Sequence, residues 1–339
     1  MKKGLLTLLL LLPTVGLATD ETRNQAAQWL ERMNQAVVSM DYEGHFVYQC
    51  GKSLEAMHLR HQVGEAGVRE SLSSLTGIPR EVIRDSNAIT IITTGSNGEL
   101  HISQQPASGK LSPLKSIQPE KLQQNYRLSL GKQVRVAGRL GVVIDLLPRD
   151  DFRYGYHLTL DQMSALPLDL SVVDNEGELQ SRIMFTDLKI SEMPPRALGS
   201  EKDGKTTDAG DNRLMLASLD DSAVKIPSEG VVPVAPVKAA ATPVAVPDLP
   251  AGFALVSHQQ SEKTGLEHFV FSDGLATVSV YLELLDSDKA FEGFTNLGSV
   301  RVFGQRLQDY QITAVGEVPQ KTLELLVASV EKNKFNATD

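Results

Sequence analysis

Gly141-Val142-Val143-Ile144-Asp145-Leu146-Leu147, then Pro148-Arg149-Asp150-Asp151, then Phe152-Arg153-Tyr154-Gly155-Tyr156-His157-Leu158-Thr159-Leu160: this stretch decides the fold class. An apolar run, a turn rich in Pro and Asp, and a period-two alternation predict an antiparallel hairpin. Phe152, Tyr154, Tyr156, Leu158 and Leu160 fall on one face of its second strand, with Arg153, Gly155, His157, Thr159 and Asp161 on the other. A second hairpin follows, Leu166 to Val173, the turn Asp174-Asn175-Glu176-Gly177, and Glu178 to Ile190. Upstream, Tyr42 to Cys50 alternates, Leu54 to Val63 returns, and Glu81 to Thr94 holds a further strand around Ile89-Thr90-Ile91-Ile92. Ahead of all these strands, Asp20 or Thr22 can cap a helix to about Met40, with Ala26, Trp29, Leu30, Met33, Val37 and Met40 on one stripe. Successive hairpins behind one helix predict an α+β domain, a curved sheet wrapped around that helix. Such a sheet often leaves an apolar concavity for a ligand.

The 339 residues suffice for two domains. Residues 1–18 read as a secretory signal peptide: basic Lys2 and Lys3, an apolar stretch from Leu5 to Leu17, and small Gly16 and Ala18 before the cleavage point. The mature protein is therefore expected to be exported and soluble. From Arg196 to Val246 periodicity disappears, and the run Val231-Val232-Pro233-Val234-Ala235-Pro236-Val237-Lys238 reads as an extended linker. Domains are thus expected over 19–195 and 247–336, separated by a linker over 196–246. The second is a small α+β unit, with strands at Leu266 to Ser272 and Ala276 to Leu284 and a last helix from Gln320 to Val330.

Charge and chemistry exclude more than they identify. Lys and Arg number 33 against 42 Asp and Glu, a net charge of -9, so binding to nucleic acid by bulk charge is not expected. One Cys excludes an intrachain disulfide. Gly51-Lys52-Ser53 lacks the glycine that a phosphate-binding loop needs five residues before its Gly-Lys pair, because Phe46 is there. His58 and His61 point to opposite faces of a strand and cannot share a metal without a bulge. Asp150 and Asp151 stand in a turn, where carboxylates cap backbone amides. Cys50 shares a strand face with Phe46 and Tyr48 and is expected to be buried and inert. Lys132, Arg135 and Arg139 form a modest basic cluster, either a solvated face or a place for an anionic ligand. No catalytic residue, metal or cofactor is expected, and the residues read as those of a binding protein.

Several motifs carry a resemblance. Tyr42-Glu43-Gly44-His45-Phe46-Val47-Tyr48, Met57-His58-Leu59-Arg60-His61 and Pro79-Arg80-Glu81-Val82-Ile83-Arg84 open it. Arg135-Val136-Ala137-Gly138-Arg139, Arg149 to Tyr156, Leu249-Pro250-Ala251-Gly252-Phe253, Phe271-Ser272-Asp273-Gly274-Leu275 and Val315-Gly316-Glu317-Val318-Pro319 continue it through both domains. In this order the chain resembles the MucB/RseB family of periplasmic regulators of an envelope-stress sigma factor. The resemblance implies an N-terminal half-barrel like that of lipoprotein carriers, open and closed by a helix, with a smaller C-terminal domain. It also implies binding to the periplasmic part of a membrane-bound anti-sigma factor, protection of that partner from proteolysis, and release by lipoproteins or lipopolysaccharide. The 196–246 linker departs from the family pattern in being longer and richer in Ala and Pro.

On physical grounds Trp29, Met33, Phe46, Tyr48, Met57, Tyr154 and Tyr156 are the candidates for an apolar groove, and Phe253, Phe269, Phe271 and Tyr281 for partner contact. A lipoprotein-carrier chaperone is the alternative function. Open strand edges also allow a homodimer.

Overall fold

In a computed structural model of the chain, residues 20–95, 99–106, 117–191, 246, 248–261, 264–285 and 290–335 are described. The expected signal peptide, and the expected linker up to 245, lie outside them. Helix α1 (Asp20–Ser39) leads into two antiparallel meanders. The first is β1 (Tyr42–Cys50), β2 (Ser53–Gly64), β3 (Gly67–Ser74), β4 (Arg80–Arg84), β5 (Ala88–Thr94) and β6 (Leu100–Pro106). After the short helix α2 (Pro119–Asn125), the second is β7 (Tyr126–Val136), β8 (Arg139–Pro148), β9 (Gly155–Asp161), β10 (Pro167–Val173) and β11 (Leu179–Ile190). The last strand returns to the first, Tyr42 opposite Ile190, and joins the meanders into one 11-stranded sheet in the order β6-β5-β4-β3-β2-β1-β11-β10-β9-β8-β7. The sheet is open at β6 and β7, an open half-barrel over α1.

Period explains what fills it. Ala26, Leu30, Met33 and Val37 recur every three or four residues on α1 and are 0–4% exposed. They meet alternate strand residues, among them Phe46, Met57, Leu128, Ile144, Leu158, Leu168 and Phe185, in one continuous core. The helix thus occupies the hollow of the sheet.

The second unit is a six-stranded antiparallel sheet ordered β12-β13-β14-β17-β16-β15. Its strands are β12 (Ala254–Gln260), β13 (Glu267–Ser272), β14 (Thr277–Leu284), β15 (Gly293–Leu297), β16 (Val300–Leu307) and β17 (Tyr310–Gly316). Helix α3 (Gln320–Phe335) covers one face, and Leu323, Leu326, Val327 and Val330, all 0–1% exposed, pack with Phe269, Phe271, Val278, Val280 and Ala314.

Two local readings need correction, and one turn has no counterpart among them. The segment from Glu81 to Thr94 is two strands, because Asp85 Oδ1 accepts the N–H groups of Asn87 and Ala88 at 2.8 and 2.9 Å and turns the chain. Strand β9 starts at Gly155, so Phe152 and Arg153 belong to the preceding turn. There Asp150 caps the Phe152 N–H at 3.0 Å, and Phe152 points into the core of the second unit. Finally, Val136-Ala137-Gly138-Arg139 is a two-residue hairpin with Ala137 at φ 50° and Gly138 at φ 73°, the backbone of a type I′ turn. An alanine at positive φ gives no turn signal in sequence.

Candidate functional site

The two sheets meet along a seam, and Arg153 is its centre. The side chain is 0% exposed. One terminal nitrogen donates to Asp273 Oδ2 at 2.7 Å, Nε donates to Asp150 Oδ1 at 3.0 Å, and the other terminal nitrogen donates to Asp150 Oδ2 at 3.0 Å and to the Ala251 carbonyl. The guanidinium also lies over the rings of Phe253 and Tyr126, 5.2 and 5.6 Å from their centroids. Asp273 is shared in turn: Tyr126 Oη donates to it at 3.0 Å, and it caps the N–H groups of Leu275 and Ala276. A buried guanidinium so saturated ties residues 126 and 150–153 of the first unit to residues 251–276 of the second.

Smaller contacts extend the seam. Thr322 Oγ1 donates to the Phe152 carbonyl at 2.7 Å, Lys321 pairs with Asp151 at 3.0 Å, and Arg301 Nε donates to Tyr154 Oη at 2.6 Å. Gly252 lies so close to Asn125, and Gly298 so close to Cys50, that a Cβ at either would overlap the facing side chain. At Gly298 the gap to Cys50 Sγ would be 1.9 Å, and φ is +62°. Gly298→Ala is therefore expected to cost at least about 2 kcal/mol, about 1–2 kcal/mol from the left-handed backbone and the remainder from the clash. Denaturant melts check this. Adding Cys50→Ala should restore the clash component and leave the backbone component.

The candidate groove residues are placed in the core rather than around an open cavity. Met33, Phe46, Met57, Tyr154 and Tyr156 are 0–8% exposed, and Trp29 and Tyr48 are partly buried against the same cluster. Arg32 covers the Trp29 ring, 4.0 Å from its centroid. Tyr154 and Tyr156 run into the seam. Of the candidate partner contacts, Phe253, Phe269 and Phe271 are buried under α3 and Arg153, while Tyr281 is half-buried and stacked on His268 at 4.4 Å.

A groove of about 600 Å³ lies elsewhere on the large sheet. It runs beneath the β7–β8 hairpin tip and is lined by Val134, Arg135, Val143, Met184 and the Asp169–Arg182 pair, whose Nε bond is 3.1 Å. Within the basic cluster, Arg139 is taken up by Asp161 through two bonds of 2.8 and 3.1 Å.

The histidines follow the alternation. His61 is buried, stacked on Tyr42 at 4.6 Å with Nδ1 2.9 Å from the Met40 carbonyl. His58 lies on the opposite face, 2.9 Å from Glu43 and stacked on His45, which lies 2.7 Å from Asp187. Among the described residues no group of three or more His, Cys, Asp or Glu side chains could hold a metal ion. What the seam can do is fix the angle between two β-sheets and present both to a partner.

Sequence reasoning missed the seam residues Arg153 and Asp273, and Glu317, whose Oε1 accepts from Ser181 Oγ across the seam at 3.3 Å. For Arg153 a signal was present, since Asp150 and Arg153 are three residues apart in a turn, but alternation placed it only on the face opposite the aromatic residues.

Comparison with known proteins covers both units. Residues 25–208 match the model of the MucB/RseB N-terminal domain and residues 212–331 that of the C-terminal domain. The chain is 30% identical over 96% of both chains to the sigma factor AlgU regulatory protein MucB of Pseudomonas aeruginosa. It is 25% identical, over 96% of both, to the sigma-E factor regulatory protein RseB of Haemophilus influenzae. Among solved structures, the P. aeruginosa MucA/MucB complex is similar over 88% of this chain and 96% of that one, with a TM-score of 0.59 and 29% identity. MucB in complex with MucA(peri) gives a TM-score of 0.57 and 28% identity over the same shares.

Proposed function

The chain belongs to the MucB/RseB family, and from that membership we propose that it is a periplasmic negative regulator that binds the periplasmic region of a membrane-bound anti-sigma factor. The observation that carries this reading is the likeness to MucB bound to MucA(peri), which runs through both sheets in one alignment. Binding shields the partner from the protease that begins its degradation, and lipid-bearing signals release it. Among the described residues no helix is long and apolar enough to cross a membrane. The expected signal peptide supports export.

The seam gives this reading a physical form. A partner segment that touches both sheets reads their relative angle, which Arg153 fixes. A lipid ligand can lower partner affinity only by binding the two states of the regulator unequally. Because α1 fills the hollow of the large sheet, an acyl chain entering there has to displace α1 or part the seam, and either change is felt by the partner. The carrier alternative has less support, since it gives the second sheet and the Arg153 seam no role.

The test uses the mature chain from Thr19 and the periplasmic fragment of a membrane-bound anti-sigma factor from the same organism. A stable complex by light scattering, slower cleavage of the fragment, and loss of both on adding acylated lipoprotein or lipopolysaccharide are expected. Absence of a complex sinks the regulator. A complex unaffected by either lipid keeps the regulator and removes the proposed signal.

A further inference from the structure

The groove beneath the β7–β8 hairpin tip is apolar along much of its length. Val134 and Val136 come from β7, Val143 from β8, and Met184 and Phe185 from β11. Its polar groups are few and mostly spent. Asp169, 7% exposed, is neutralised in place by Arg182, whose Nε lies 3.1 Å from both carboxylate oxygens. Thr186 Oγ1 donates to the His45 carbonyl at 3.1 Å. Arg135 brings the uncompensated charge. It is exposed, and among the described residues no carboxylate pairs with it, whereas Arg139 in the same hairpin is held by Asp161.

The backbone around the groove disfavours an extended peptide as its occupant. Strands β8, β9, β10 and β11 are each paired on both sides, so their N–H and C=O groups are spent in the sheet. Strand β7 has a free edge, but it carries Arg127, Lys132 and Arg135 and a break in register between Leu130 and Gln133. Charges and bulges of this kind protect an edge from strand addition. A peptide laid in the groove would leave its own backbone groups unmatched, at a cost that a hydrocarbon chain does not meet.

We propose that this groove binds one acyl chain with an anionic head, carboxylate or phosphate, the chain lying along Val134, Val136, Val143 and Met184 and the head on Arg135. A volume of about 600 Å³ is within the range of small-molecule sites. The ligand is received with α1 in place, so the core beneath the helix stays closed. The inference deepens the regulator reading and rests on it for the signal's role, though not for the binding itself. Arg182 directly follows Ser181, the donor to Glu317 across the seam. A ligand that moves the Asp169–Arg182 pair therefore acts next to the contact between the sheets.

The chain contains its own reporters. Met184 lines the groove, while Met33 and Met57, 0% and 4% exposed, lie in the core beneath α1. Spectra of isotope-labelled methionine methyls separate the two locations when the full mature chain is titrated, below micelle formation, with octanoate, decanoate, dodecanoate and dodecyl phosphate. Saturation at one ligand per chain is expected, with Met184 shifted and Met33 and Met57 unmoved. Affinity should rise by up to about fourfold per added methylene until the groove is full. Both heads should bind, while acetate and inorganic phosphate, heads without a chain, should leave Met184 unmoved. Arg135→Ala should weaken the anionic lipids about tenfold and leave neutral dodecyl maltoside unaltered. Arg135 is exposed, so the fold should survive the change, and the wild-type titration stands without it.

Shifts at Met33 or Met57 in place of Met184, a Met184 silent to every lipid, or an unchanged affinity in Arg135→Ala overturn the assignment. So does a Met184 that answers to the anti-sigma fragment or to inorganic phosphate but to none of the lipids. A complex with the anti-sigma fragment that forms while Met184 ignores every lipid fails the groove and keeps the regulator.

Discussion

Arg153→Met is expected to cost about 3–5 kcal/mol and to split one cooperative unfolding transition into two. The substitution leaves Asp273 enclosed at the seam with the Tyr126 hydroxyl and the Leu275 and Ala276 amides as its remaining donors. Burial already pushes the Asp273 carboxyl above its ordinary value despite Arg153 and those donors, so without the guanidinium the cost of an unpaired buried charge falls on the interface. Asp150 loses both its side-chain bonds to Arg153 as well. Urea melts followed by far-ultraviolet circular dichroism and by fluorescence of Trp29 in the first unit measure the loss and show whether the units still melt together. A double variant that also carries Asp273→Asn should recover a substantial part, because the penalty lies in the orphaned charge more than in the lost pair. Loss below about 1 kcal/mol would mean that the units are held elsewhere.

Phe271→Ala is expected to destabilise the small unit by about 3–5 kcal/mol. Phe271 is 0% exposed, sits opposite Val278 in the ladder, lies 6.5 Å from Phe269 between ring centroids, and belongs to the core under α3. Chosen from sequence as a partner contact, it is placed where its ring supports the sheet. Partner affinity measured on the folded fraction should therefore be unchanged. A variant with an unaltered melt and lost partner binding would return Phe271 to the contact surface. Tyr281→Ala, half-buried on His268, is the comparison: a smaller stability loss is expected there.

What could be read in sequence follows from where each side chain's partner lies. The 166–190 hairpin was legible because Asp174 and Gly177 mark its turn, and the structure uses them so, with Asp174 Oδ1 accepting the Glu176 and Glu178 N–H groups at 3.0 and 2.9 Å and Gly177 at φ 85°. The α1 stripe was legible because period alone specifies a helix face. Strand β3 was not legible: its sequence is GVRESLSS, and its inward residue Glu70 is a charge answered by His61 and Arg84 from neighbouring strands, 3.6 and 4.0 Å away. A buried charge whose partners are remote in sequence reads as a surface residue. The same holds for Arg153, whose decisive partner Asp273 is 120 residues away, and for Glu317, whose donor Ser181 is 136 residues away. The aromatic candidates show the converse. Sequence finds large apolar side chains readily, but whether a helix covers them is a tertiary fact, and α1 and α3 cover most of those chosen.

Because the first strand of the large sheet pairs with the last, Tyr42 opposite Ile190 and Cys50 opposite Ser181, the order in which this domain assembles is constrained. Each meander can zip from its own short turns, yet the middle of the sheet stays unclosed until β11 has arrived, and such remote pairing is slow. In the interval β1 and β10 each present a bare edge, the kind that recruits strands from other molecules. A chain ending before Leu179 would be trapped there permanently. It should therefore aggregate as two unjoined half-sheets, whereas a chain ending just after Ile190 has the strand that closes the centre.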